Sequence, residues 1–320
     1  MQTPPRSSVS PTARAPLGAA PFASQSYRLE RPDDTPPPLE ALALSKPVQR
    51  APSSLETPAS LRAPRRPVAP PPSLVTELQA LAAERPEPCW ESFRSRVGAD
   101  QYRALHAVLA RRIPAGARVL DWGATTGHLS YVLGRLGYRA VGFGLGEWAF
   151  RGCVDDSRYA FVCAGRGGRA DLGRLPFADA SFDAVVSTGL LEHVREVGAH
   201  EGEALREIHR VLRPGGLFVC DHLPNQTSWM ERAAQTFGGH PHRRRFAEWD
   251  IRRLLHDADL TLLEWARYGF LPSDRFARLP AWMRASPSIA AAWNLADSVG
   301  ASLGNKLCQN HLFVARRPSV

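Results

Sequence analysis

From Ala117 onward the chain alternates short apolar runs with helix-length amphipathic stretches closed by glycine or proline, and this alternation constrains the fold more than any other feature. Strands are expected at Ala117 to Asp121, Arg139 to Phe143, Ala160 to Ala164, Ala184 to Ser187, Leu217 to Asp221, Leu260 to Trp265 and His311 to Ala315. Helical spacing fills the gaps at His128 to Leu136, Gly202 to Leu212 and Glu248 to Ala258. Helical crossovers return the chain in its original direction, so the sequence predicts a doubly wound α/β fold on a seven-stranded, mostly parallel sheet.

Ahead of this unit, Leu74, Leu78 and Leu81 recur at helical spacing until Pro86. A second helical stretch is expected from Trp90. A third is expected after Asp100 as its N-cap, with Tyr102, Leu105, Val108 and Leu109 on one face. Residues 1–72 hold 17 of the 28 prolines and only two aromatics, too little apolar surface to offset the entropy of ordering, and are expected to be disordered. The expected organisation is therefore a Pro-rich tail over 1–72, a helical prelude over 73–113 and an α/β domain over 114–320. Within that domain, residues 222–246 and 271–309 are longer than ordinary connections, and specificity is expected to reside there.

Ligands of open α/β sheets bind beyond the carboxyl ends of the strands. After the first strand comes VLDWGATTGH, residues 119–128, whose glycines permit positive φ and close backbone approach before a helix start rich in amide hydrogens. A purely structural turn uses the same residues. Residues 171–194, DLGRLPFADASFDAVVSTGLLEHV, place an acid after the third strand and open a helix with LEHV after the fourth. Residues 207–219, EIHRVLRPGGLFV, run a helix through a glycine turn into a buried strand.

Taken in this order and spacing, VLDWGATTG, LPFADASFD, LLEHV and VLRPGG resemble the class I S-adenosylmethionine-dependent methyltransferases, most closely the small-molecule branch that includes quinone-biosynthesis O-methyltransferases. The resemblance covers residues 115–265 and implies a Rossmann-like methyltransferase fold with S-adenosyl-L-methionine as methyl donor. It implies that Asp121, Gly123, Thr125 and Gly127 surround the methionine part of the cofactor. Asp171 would meet the adenine amino group with Leu172 against the ring, while Thr188, Gly189 and Leu190 would form the floor. Glu192 and His193 would lie beside the substrate entrance.

Two positions depart from the family pattern. Thr125 stands where a middle glycine is usual, and Gly144 stands where an acid normally grips both ribose hydroxyls, with Glu147 three residues on as a substitute. Some quinone methyltransferases carry an acid three residues before the Glu-His pair that completes a divalent-ion site. Here that position is Gly189, so no metal is expected.

A hydroxyl acceptor needs a base, and only histidine is poised near neutral pH without help. His193, His222 and His240 are the candidates, followed by His242. The expected function is methyl transfer to a small molecule at a hydroxyl oxygen. The alternative is a binding or scaffold protein that keeps the fold without cofactor affinity, for which Thr125 and Gly144 speak.

Net charge is +9, but only two of the 40 basic residues are lysines and the arginines are scattered, so no nucleic-acid partner is expected. The five cysteines are widely spaced without a C-x-x-C pair, which fits a reducing cytoplasm. No apolar run reaches membrane-spanning length, and nothing in the sequence fixes an oligomeric state.

Overall fold

Seven strands are laid down in chain order as β1 (Arg118–Trp122), β2 (Arg139–Gly144), β3 (Tyr159–Cys163), β4 (Phe182–Thr188), β5 (Leu212–Pro224), β6 (Thr261–Tyr268) and β7 (Asn310–Arg316). In the computed structural model, which describes residues 74–84, 88–124, 127–144, 159–163 and 174–319, they form one sheet in the order β3-β2-β1-β4-β5-β7-β6. The first five pair in parallel, and β7 runs antiparallel between β5 and β6. Strand order reverses between β1 and β4, which puts the binding crevice at their carboxyl ends. The expected disorder of residues 1–72 lies outside the described residues.

Buried apolar side chains cover both faces of the sheet because its central strands are apolar on both sides. One face packs on α1 (Leu74–Ala83), α2 (Arg96–Asp100), α3 (Arg103–Arg112) and α4 (His128–Arg135), with Trp90, Phe93, Leu105, Leu109 and Leu133 in its core. The other packs on α5 (Glu201–Val211) and on α7 (Glu248–Asp257), which follows α6 (Trp229–Thr236). Phe143, Phe182, Phe218 and Phe313 fill this second core. Each such buried ring contributes roughly 1.5–3 kcal/mol of transfer free energy.

The structure corrects several boundaries. Asp100 ends α2 and does not cap α3: its buried carboxylate accepts from Arg103 Nε at 2.7 Å and from Asn294 Nδ2 at 2.8 Å. The N-cap of α3 is Tyr102, with no side-chain bond, whereas α2 is capped by Ser95, whose Oγ accepts from Gly98 N at 2.9 Å. LEHV does not open an α-helix but a 3-10 helix, Leu191–Val197, which Gly198 ends at φ 85°. Strand β5 starts five residues earlier than its apolar run, because Leu212 pairs with Phe182 and Gly215 N donates to Arg317 O at 3.0 Å.

The long segment before β7 forms a 3-10 helix (Asp274–Arg278), α8 (Ala281–Ala285) and α9 (Pro287–Leu303). It folds back onto the N-terminal helices. Val97, Phe276 and Ala290 share a small core, and the rings of Phe276 and Trp293 meet edge-on at 4.6 Å. With the Asn294–Asp100 bond, two parts of the chain remote in sequence become one cap beside the sheet. Among the described residues no helix is long and apolar enough to cross a membrane.

Candidate functional site

The first turn is shaped by two glycines. Gly123 at φ 105° and Gly127 at φ 75° carry the backbone from β1 into α4, where Gly127 occupies the N-cap and offers no side chain to the first amides. The amides of Gly123 and Ala124 both donate to Phe143 O, at 2.8 and 3.1 Å, which ties the turn to β2. A Cβ at Gly123 would come within 3.0 Å of Leu190 Cδ2, so the turn lies directly against the segment that follows β4. Gly123→Ala is therefore expected to destabilise the protein by about 1–3 kcal/mol, through both backbone strain and this contact; an unchanged denaturant midpoint would contradict it.

Asp121 is buried and accepts from Ser130 Oγ of α4 at 2.7 Å. Burial pushes its carboxyl up to about 7, with the serine bond opposing the shift. Gly144 is buried at the end of β2. Thr125, Glu147, Asp171 and Leu172 lie outside the described residues.

The carboxyl ends of β4 and β5 supply the polar chemistry. Opposite β7, Cys220 pairs with Phe313 and Leu223 with His311, so Asp221 and His222 together face the single residue Leu312. This bulge holds His222 at φ 56° and turns its ring out of the ladder. His222 Nδ1 lies 2.7 Å from Asp221 Oδ2, and the hydroxyl of Tyr268, at the end of β6, donates to Asp221 Oδ1 at 2.7 Å. Tyr102 stacks on the imidazole, ring centroids 4.5 Å apart. Burial alone would depress the imidazole pKa, but Asp221, through charge and hydrogen bond, lifts it above the ordinary histidine value. The aspartate fixes the proton on Nδ1 and leaves Nε2 as acceptor.

Among the described residues, His222 Nε2 is buried without a hydrogen-bond partner, and so are Trp122 Nε1, Ser187 Oγ, Thr188 Oγ1 and Glu192 Oε2. Such orphans are rare, and five along the ends of β1, β4 and β5 mark a place built for a polar ligand.

Past β4, Glu192 is buried, and burial raises its carboxyl despite the histidines His193 and His242 nearby. His193 Nδ1 is 3.2 Å from Glu196 Oε1. His240 is exposed, whereas His242, two residues on, turns inward with Nδ1 2.7 Å from Glu231 Oε1. Burial would lower the His242 pKa, and the Glu231 bond raises it instead. The structure thus brings His193 and His242 together, ring centroids 6.2 Å apart, and leaves His240 outside. The neighbouring arginines act as internal ties: Arg244 Nε donates to Glu201 Oε1 at 3.0 Å and its guanidinium lies over Phe246.

Sequence reasoning missed Asp221, Tyr102, Tyr268 and Glu231 as site residues. Asp221 read as a strand end, although an adjacent Asp-His pair at that edge was a usable signal. The tyrosines come from elements whose packing no local pattern reveals.

Residues 120–220 match the family described as Methyltransferase domain. The chain is 32% identical over 125 residues to a ubiquinone/menaquinone biosynthesis C-methyltransferase of Desulfotalea psychrophila, covering 39% of this chain and 48% of that protein. It is 36% identical over 130 residues to a demethylmenaquinone methyltransferase of Clavibacter sepedonicus, covering 39% and 49%. The chain thus spans about half the length of these curated relatives. The crystal structure of the 4+2 cyclase SpnF overlays with a TM-score of 0.50 at 21% identity, covering 78% of this chain and 94% of that one, a likeness of fold. Residues 120–220 thus resemble a methyltransferase domain, with quinone-biosynthesis methyltransferases among the similar proteins.

Proposed function

We propose that the chain methylates a hydroxyl oxygen of a small molecule, with His222 as general base. The observation that carries this reading is the Asp221–His222 pair, whose unpartnered Nε2 lies at the carboxyl end of β5. When bound, S-adenosylmethionine supplies an electrophilic methyl carbon and a neutral thioether leaving group. The turn from Asp121 to Gly127 and the segment Thr188 to Leu190 would hold it, since any side chain added at Gly123 would meet Leu190 and the two segments therefore face each other.

His222 Nε2 takes the acceptor's hydroxyl proton as the oxygen forms its bond to carbon. Asp221 stabilises the resulting imidazolium, and Tyr268 holds Asp221 in place. The cap formed by α2, α9 and residues 274–278 excludes water and limits the acceptor's freedom, which aligns it for in-line attack. The similar quinone-biosynthesis proteins support a small-molecule acceptor, and since one of them is named a C-methyltransferase, a ring carbon is the competing methyl-accepting atom.

Thermal unfolding with S-adenosylhomocysteine tests the first step. Ligand at about 100 times its Kd is expected to add about 2.7 kcal/mol of stability. No shift at millimolar ligand would overturn the reading. Transfer of labelled methyl from S-adenosylmethionine to a panel of phenols, followed by location of the label on oxygen or carbon, tests the second.

A further inference from the structure

Glu192, His193 and His242 bring one donor atom each to within 4.8 Å of one another. Two come from the 3-10 helix after β4 and the third from the segment after α6, so the grouping exists only in the folded chain. We propose that these three side chains bind one divalent transition-metal ion.

Each donor is prepared for the role. Glu192 Oε2 is buried with no hydrogen-bond partner among the described residues. His242 gives Nδ1 to Glu231, which leaves Nε2 for a cation, while His193 faces Glu196 through its own Nδ1. Glu231 is itself buried and fixed: it also accepts from His242 N at 2.9 Å and from Gln309 Nε2 at 2.6 Å, and Gln309 Oε1 in turn accepts from Ser228 Oγ at 2.6 Å. A carboxylate that orients an imidazole through the nitrogen away from the open face is the support metal-binding histidines use.

A cation about 2.1 Å from each donor holds them about 3.3 Å apart. Small side-chain rotations supply the closure. One carboxylate with two imidazoles favours zinc, cobalt, iron or nickel over magnesium and calcium, and three protein ligands leave a position open for water or an acceptor oxygen. The expectation of no metal rested on the missing acid at Gly189, and the proposal puts an imidazole from the segment after α6 in that acid's place. The site binds metal whether or not methyl transfer takes place.

The test uses the full chain stripped with a chelator and titrated with cobalt(II), read by its visible ligand-field bands and by metal-to-protein ratio. One cobalt per chain is expected, displaced by zinc(II). Glu231→Gln, which keeps all three ligands, is expected to weaken binding about 10- to 100-fold. His242→Ala and Glu192→Gln weaken it further, and His256→Ala, on the exposed face of α7, leaves it unchanged. Absence of bands at millimolar cobalt, or binding indifferent to both His242→Ala and Glu231→Gln, overturns the proposal. The thermal shift with S-adenosylhomocysteine, measured on the same stripped protein, reports separately on the cofactor reading and shows that each variant is folded.

Discussion

His222→Asn is expected to lower kcat/KM for methyl transfer by about 100- to 10,000-fold, the range a positioned general base supplies. Asparagine suits the test because it tolerates positive φ better than other non-glycine residues, so the bulge at φ 56° survives. The wild-type profile carries a second signature. The base form is the neutral imidazole, whose pKa lies above the ordinary 6.5, so kcat/KM should rise with pH through an apparent value higher than that. The groups acting on it are Asp221, Asp274 and Glu192, which raise it, with Tyr268 and Tyr102 packed against it and His128 across from it. Asp221→Asn should shift this limb toward lower pH and reduce the rate. Wild-type kcat/KM in His222→Asn would remove His222 from the chemistry.

The second large effect is acid lability. Burial holds His106 and His311 down to about 4 and His128 to about 3, so all three are neutral in the folded chain at neutral pH. His311 shows the structural cause: Nε2 lies 3.0 Å from the carbonyl of Phe246 while Nδ1 accepts from Trp265 Nε1 at 3.1 Å, a pair of bonds that suits only the neutral ring. Between the unfolded value near 6.5 and the folded values near 4, the unfolded chain binds more protons, so stability is fully present above 6.5 and falls with acid.

Asp121 opposes this trend. Its folded carboxyl titrates near 7, so its contribution is present below the unfolded value near 4 and is lost as pH rises toward 7. At pH 5 these four groups together leave a net uptake of about two protons on unfolding, a slope of roughly 2.7 kcal/mol per pH unit. Urea unfolding at successive pH values measures it. His311→Gln should reduce the uptake by about one proton, and an uptake unchanged in that variant would contradict the assignment.

The parallel half of the sheet could be read from the sequence because local pattern decides it. Ala117 to Asp121 was expected and Arg118–Trp122 is found, since a buried central strand needs only an apolar run between turns. Helix α6 escaped notice although its signal was present: Ser228 and Glu231 have capping spacing, and Ser228 Oγ accepts from Glu231 N at 3.3 Å. With no long apolar stripe, the segment looked like a loop. The bulge at Asp221–His222 was beyond reach for a different reason. It arises from register against β7, some ninety residues later, and no property of residues 221 and 222 announces it. The same holds for His242 over His240, which differ only in which one the path after α6 turns toward Glu231.

Residues 120–220 match the family described as Methyltransferase domain, and the bulge at Asp221–His222 follows directly. On the proposed reading the turn at Gly123 and the segment after β4 hold the methyl donor, while the base, His222, is packed between Tyr102 from the helices ahead of the sheet and Tyr268 from β6. Substitutions at Tyr102 and Tyr268 would then change the acceptor or the base without disturbing the backbone turn at Gly123.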